Sequence, residues 1–72
     1  GPIGGIQQKI VAARDDGAGL FLVPAANCKE ALGAPNGDMR LAKVTTMTDA
    51  LSSVEAWASD HDATLPTCTK GD

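Results

Sequence analysis

The sequence predicts a small α/β fold in the order helix, strand, helix, strand, helix. Three observations carry that expectation. Apolar residues recur at helical spacing in residues 4–16 and again in 46–58. Leu20-Phe21-Leu22-Val23 is a short apolar run without alternation, as a strand buried on both faces reads. A second strand candidate, 39–45, follows a stretch of helix and loop, so the two strands should pair in parallel through a right-handed crossover.

In the first helix Ile6, Ile10 and Ala13 share one stripe with Val11 beside it, while Gln7, Gln8, Arg14 and Asp15 take the other side. Gly17 is its stop, because glycine enters the left-handed conformation that helix ends favour. Pro24 closes the apolar run, since it has no N–H for the ladder. Residues 25–32 read as a second, short helix, with Asn27 as N-cap and Glu30 three residues on, close to a capping box. Residues 33–38 (Gly-Ala-Pro-Asn-Gly-Asp) have loop composition, and Leu41 and Val44 are the apolar members of the second strand. Thr46-Met47-Thr48-Asp49 resembles a capping box with Asp in place of Glu. Met47, Ala50, Leu51, Val54 and Ala58 then form the stripe of the last helix, flanked by Trp57. Residues 59–62 end it, and 63–72 are a polar tail.

A chain of 72 residues holds one domain at most, and its aromatics are only 3%. A core of this size supplies a few kcal/mol, so a staple or a partner surface is expected. Two strands also make a poor sheet whose open edges want neighbours. We therefore expect the carboxy-terminal part of a larger α/β domain, and the start on Gly1 without Met is in keeping with a fragment or processed chain. The net charge of −3, with scattered basic residues, argues against a nucleic-acid partner. No signal peptide and no apolar run of about 18 residues is present, so any export signal is expected upstream.

The two cysteines, Cys28 and Cys68, fit neither a CxxC redox motif nor a zinc site with the remote His61. Two readings stand: free thiols, or one disulfide closing a loop of roughly forty residues, which stabilises by about 4 kcal/mol in the chain-entropy model. The second is favoured because Cys68 lies in a polar tail with little else to hold it.

Lys9 is the residue with chemical promise. A lysine at the edge of an apolar stripe, beside the glycines Gly4 and Gly5, acts as a general base if burial removes its charge. The alternative is an ordinary lysine with its stem on apolar surface and its ammonium in water. Glycines here let a substrate backbone or another strand approach, although such clusters are also ordinary turns. The segment is not a phosphate loop, since Gln7 and Gln8 separate Gly5 from Lys9, and no strand precedes it as a dinucleotide fingerprint requires. Ser52, Ser53 and Ser59 all fall in the last helix, away from any His in a triad pattern. Asp60-His61-Asp62 lacks a third separated ligand group, so no metal site is expected.

Pro2-Ile3-Gly4-Gly5-Ile6-Gln7-Gln8-Lys9-Ile10-Val11-Ala12-Ala13-Arg14 resembles the catalytic-lysine segment of Lon-type serine proteases, which runs Pro-Ile-Gly-Gly-Leu-Lys-Glu-Lys-Leu-Leu-Ala-Ala. The similarity continues through Gly17, Phe21-Leu22-Val23-Pro24, Asn27, and Val44 with the capped last helix. The Gln-Gln variant, the Pro-Ala-x-Asn-Cys segment and the Cys-bearing tail are closest to the actinobacterial Lon-like branch, in which a membrane anchor and a PDZ domain precede the protease domain. The resemblance implies that residues 1–62 are the carboxy-terminal portion of a Lon-like proteolytic domain and 63–72 its tail. It implies a Ser–Lys dyad with Lys9 as base, Gly4 and Gly5 in the active-site turn, and Gln7 where the family has its first, non-catalytic lysine.

The same resemblance implies that the nucleophilic serine lies upstream of this chain, so these residues alone are expected to be inactive. The expected partners are the missing amino-terminal half, peptide or protein substrates and further copies in a homo-oligomer. No cofactor is implied and no ATPase motif is present. An extracytoplasmic site is expected, with the parent anchored to the cell membrane. The rival expectation is a non-catalytic interaction module, stapled by its disulfide, that offers an open sheet edge to a partner strand.

Overall fold

The computed structural model describes residues 5–72. Helix α1 (Ile6–Asp15) is followed by strand β1 (Leu20–Pro24), a 3-10 turn (Ala25–Asn27) running into helix α2 (Cys28–Ala31), strand β2 (Arg40–Val44) and helix α3 (Met47–Ser59). The fold is mixed α/β with the elements in the expected order. β1 and β2 form a two-stranded parallel sheet, in register from Leu20 opposite Arg40 to Pro24 opposite Val44.

α1 ends as the glycine predicts. Gly17 takes φ 85°, its N–H donates to the Arg14 carbonyl at 3.0 Å, and the Ala18 N–H reaches back to the Ala13 carbonyl at 3.0 Å. These are the two bonds of a Schellman motif, and they satisfy carbonyls that the helix leaves open. The Arg14 side chain then donates to the Pro35 carbonyl at 2.9 Å, which fixes the loop before β2 against the end of α1.

Successive strand residues point to opposite faces of the sheet. Val23, with Phe21 and Leu41 packed against it, belongs to one cluster with Ile6, Ile10, Cys28, Ala31, Ala34 and Met39. That cluster is the main core, and it lies on the face covered by α1 and α2. Ala42 has the opposite parity, is fully buried and lies outside the cluster; α3 packs on β2.

Three sequence expectations need correction. First, the apolar run of β1 is not buried on both faces: Val23 alone is fully buried, while Leu20, Phe21 and Leu22 are half-buried. β1 has no strand on its outer side among the described residues, so nothing completes the enclosure. Second, Asn27 forms no capping box with Glu30, and its side chain caps nothing. The chain is already turning from Ala25, directly after Pro24, so Asn27 lies inside a 3-10 turn that feeds α2 without a break.

Third, the apolar stripe of α3 faces outward. Met47 is 78% exposed, Leu51 59% and Val54 42%, whereas the fully buried residue of the helix is Ser53. The capping box itself forms as expected: the Asp49 N–H donates to Thr46 Oγ1 at 3.1 Å, and Asp49 Oδ2 accepts from the Thr46 N–H at 3.2 Å. The orientation follows from what fits. An added Cβ at Gly19 would lie 2.5 Å from the Trp57 ring, so the indole sits directly on backbone there. With Trp57 seated at Gly19, the small Ser53 is turned inward, beside Leu65 and Pro66 of the tail, and the large apolar side chains are turned away.

The tail is docked rather than loose. Leu65 is buried, and the Pro66 carbonyl accepts from the Lys43 N–H at 2.8 Å.

Candidate functional site

The candidate site begins at the first turn of α1. Gly5 is the N-cap, and its carbonyl accepts from the Lys9 N–H at 2.8 Å. Helical spacing then separates roles. Ile6 and Ile10 point into the core, while Gln7, Gln8 and Lys9 are exposed. Lys9 is thus held on a fixed backbone with its side chain in solvent, and among the described residues its ammonium has no hydrogen-bonded or ionic partner. Gly4 lies outside the described residues.

Gln7 does work that the sequence did not reveal. Its amide Nε2 donates to the Glu30 carbonyl at 2.8 Å, tying the first turn of α1 to the end of α2. Arg40 plays a similar part elsewhere: its guanidinium donates to the His61 and Ala63 carbonyls, each at 2.7 Å, and holds the chain as it leaves α3. All three acceptors are backbone carbonyls. No residue type marks such a partner, so a reading of side chains passes over them.

Cys28 and Cys68 are bonded as a disulfide, with Cα atoms 5.2 Å apart and a sequence separation of 40. Cys28 opens α2 inside the main core, and Cys68 packs against that core from the tail. The bridge therefore fastens the last residues of the chain to the layer that carries Lys9. His61 stacks on Trp57, ring centroids 4.1 Å apart and planes 8° from parallel. Among the described residues no three His, Cys, Asp or Glu side chains gather as metal ligands.

Lys9 and the serines are not brought together. Ser53 is buried in α3, and Ser52 and Ser59 lie on its exposed side, whereas Lys9 belongs to the helix that packs on α2. No hydroxyl among the described residues is positioned to pass a proton to Lys9. Among the described residues, no helix is long and apolar enough to cross a membrane.

Comparison with models of known protein families, with curated proteins and with solved structures finds no match to this chain.

Proposed function

We propose that this chain is the carboxy-terminal part of a Lon-like serine peptidase domain, with Lys9 as the general base of a Ser–Lys dyad. The serine comes from a segment outside these 72 residues. The observation that carries the reading is the Pro-Ile-Gly-Gly-x-x-x-Lys motif, in which Gly5 opens α1 and Lys9 stands on its first turn. In the reaction the Lys9 amine takes the proton of the serine hydroxyl as the oxygen attacks the scissile carbonyl. The resulting ammonium then protonates the leaving amine.

A solvated lysine is charged at neutral pH and cannot accept that proton. The absent half must therefore cover Lys9 and lower its affinity for protons by desolvation. The outer edge of β1, which has no neighbouring strand among the described residues, and the exposed apolar stripe of α3 are surfaces on which the rest of a larger domain would rest. The chain acts outside the cytoplasm on this reading, where a disulfide persists, and its parent is held at the cell membrane.

The test is peptidase activity of the full-length parent with and without Lys9→Ala. The expected loss is about a thousandfold in kcat, within the range assigned to positioned proton transfer. Thermal unfolding of the Lys9→Ala parent, measured alongside, separates loss of the base from loss of the fold. A Lys9→Ala parent as active as the unaltered one would sink the dyad. The exposure of Lys9 favours a second reading, a non-catalytic module that binds a partner strand or helix at the same open surfaces. A parent without a serine in a small-residue turn upstream would decide for it.

A further inference from the structure

We propose that residues 60–72 are a strap held shut by the Cys28–Cys68 disulfide, that Cys68 is the sulfur a reducing dithiol attacks, and that reduction uncovers the outer edge of β2. This rests on the described geometry and is independent of the peptidase reading.

The strap follows one edge of the sheet. Arg40 donates its N–H to the Gly19 carbonyl at 2.9 Å on the β1 side. Three residues on, the amide of Lys43 points the opposite way and is taken by Pro66 of the strap at 2.8 Å. Alternate amides of a strand face alternate edges, so the strap occupies the side of β2 that β1 leaves free. Its other attachments are few. Leu65 is buried, Arg40 holds the His61 and Ala63 carbonyls, and the far end is pinned where Asp72 meets Lys43 and accepts from the Thr69 N–H. Most of these are exposed or part-exposed hydrogen bonds. The one covalent tie is Cys68 to Cys28.

The two sulfurs are not equivalent. Cys28 is fully buried in the core, while Cys68 is half-buried and lines an open hollow of about 310 Å³ with Leu32, Met39 and Leu41. A thiolate entering that hollow meets Cys68 first. Exchange depends on which sulfur is accessible to in-line attack. The thiolate bonds to Cys68 Sγ as the Cys28–Cys68 bond breaks, and Cys28 leaves as a thiolate that takes up a proton. The second thiol of the reductant then displaces Cys68, closing the reductant's own disulfide. Two electrons and two protons pass to the cysteine pair. With the tie gone, the strap is an intramolecular strand-edge ligand held by the buried Leu65 and by partly exposed hydrogen bonds. The amide edge of β2 then becomes open to solvent.

The experiment is amide hydrogen exchange on the whole 72-residue chain, oxidised and then reduced with dithiothreitol. Lys43 should lose protection by about tenfold or more on reduction, while Arg40, bonded across the ladder, stays within about twofold. Retained protection at Lys43 overturns the latch. So does an equal loss at Arg40, which would make the bridge a staple of the whole fold. A second measurement does not need the reduced chain to stay folded: brief exposure of the oxidised chain to glutathione, acid quench and mapping of the mixed disulfide. The adduct should be on Cys68. An adduct on Cys28, or on both equally, overturns the assignment of the attacked sulfur.

Discussion

The two helices with readable apolar stripes, α1 and α3, meet the rest of the molecule in opposite ways. α1 buries its stripe: Ile6 and Ile10 enter a cluster with Val23, Cys28, Ala31 and Met39, and the disulfide closes that layer. α3 shows its stripe to solvent and packs through Ser53, with Trp57 seated on Gly19. Periodicity establishes that a helix has an apolar face. It does not establish that the face is covered within the same chain. For α1 the covering elements lie close in sequence. For α3 no described element lies over Met47, Leu51 and Val54; burying such a side chain in full gains about 1.5–3 kcal/mol, and less where, as at Val54, part of it is already covered.

Truncating one residue from each stripe tests this contrast most directly. Ile10→Ala removes a fully buried side chain and should cost about 2–5 kcal/mol, a large part of the stability of a domain this small. Leu51→Ala removes a side chain that is 59% exposed and should change stability by less than about 0.5 kcal/mol. Urea denaturation of both variants checks the pair. Comparable losses would mean that α3 is buried in solution by something the isolated chain does not contain, such as a second copy, and the contrast would collapse.

How α3 is held gives the next effect. Because a Cβ at Gly19 would stand 2.5 Å from the Trp57 ring, Gly19→Ala must push the indole off its seat. The expected cost is up to about 1 kcal/mol, at the low end for overpacked sites because the contact falls at the far end of a half-buried ring, together with a red shift of Trp57 fluorescence as the ring meets water. An unshifted spectrum and unchanged stability would show that Trp57 does not anchor the helix.

Much of this was legible in the sequence, and the misses have physical reasons. Local signals are legible: Gly17 ends α1, Thr46 and Asp49 cap α3, and the elements occur in the expected order within two residues of the expected bounds, except that α2 begins at Cys28 rather than Ala25. Each depends on neighbours in the chain. The Cys28–Cys68 bond was also recoverable, because a polar tail with one cysteine has little else to dock it. What failed depended on distant packing. Burial of β1 on both faces needs a layer that is missing among the described residues, and the outward turn of α3 is decided by packing around Gly19 and Ser53 that no pattern encodes. The Asn27 cap failed for a local reason, since Pro24 had already started the turn. Of the candidate site, Lys9 and Gly5 are legible from their motif, whereas the strut from Gln7 to the Glu30 carbonyl is not, because its acceptor is backbone.

The smallest effect is expected at the end of the strap, where charge rather than apolar packing holds the chain. The Lys43 ammonium hydrogen-bonded to Asp72, and then the Thr69 N–H, hold the Asp72 carboxyl below the usual carboxylate range. Folding therefore favours the ionised form, and around the ordinary carboxylate value the unfolded chain binds the proton more readily than the folded one. Stability from this contact is present above the unfolded value and is lost as pH falls through the lowered, folded value. The side chains are partly exposed, so salt should weaken the contact as well. Nuclear magnetic resonance titration of the Asp72 carboxyl should give a midpoint below about 3.9, the ordinary aspartate value, and Lys43→Ala should raise it. The Thr69 amide, which donates to Asp72, should shift over the same pH interval. An ordinary midpoint that Lys43→Ala leaves unmoved would mean that the end of the strap is free in solution. Leu65 and the disulfide would then hold the tail by themselves.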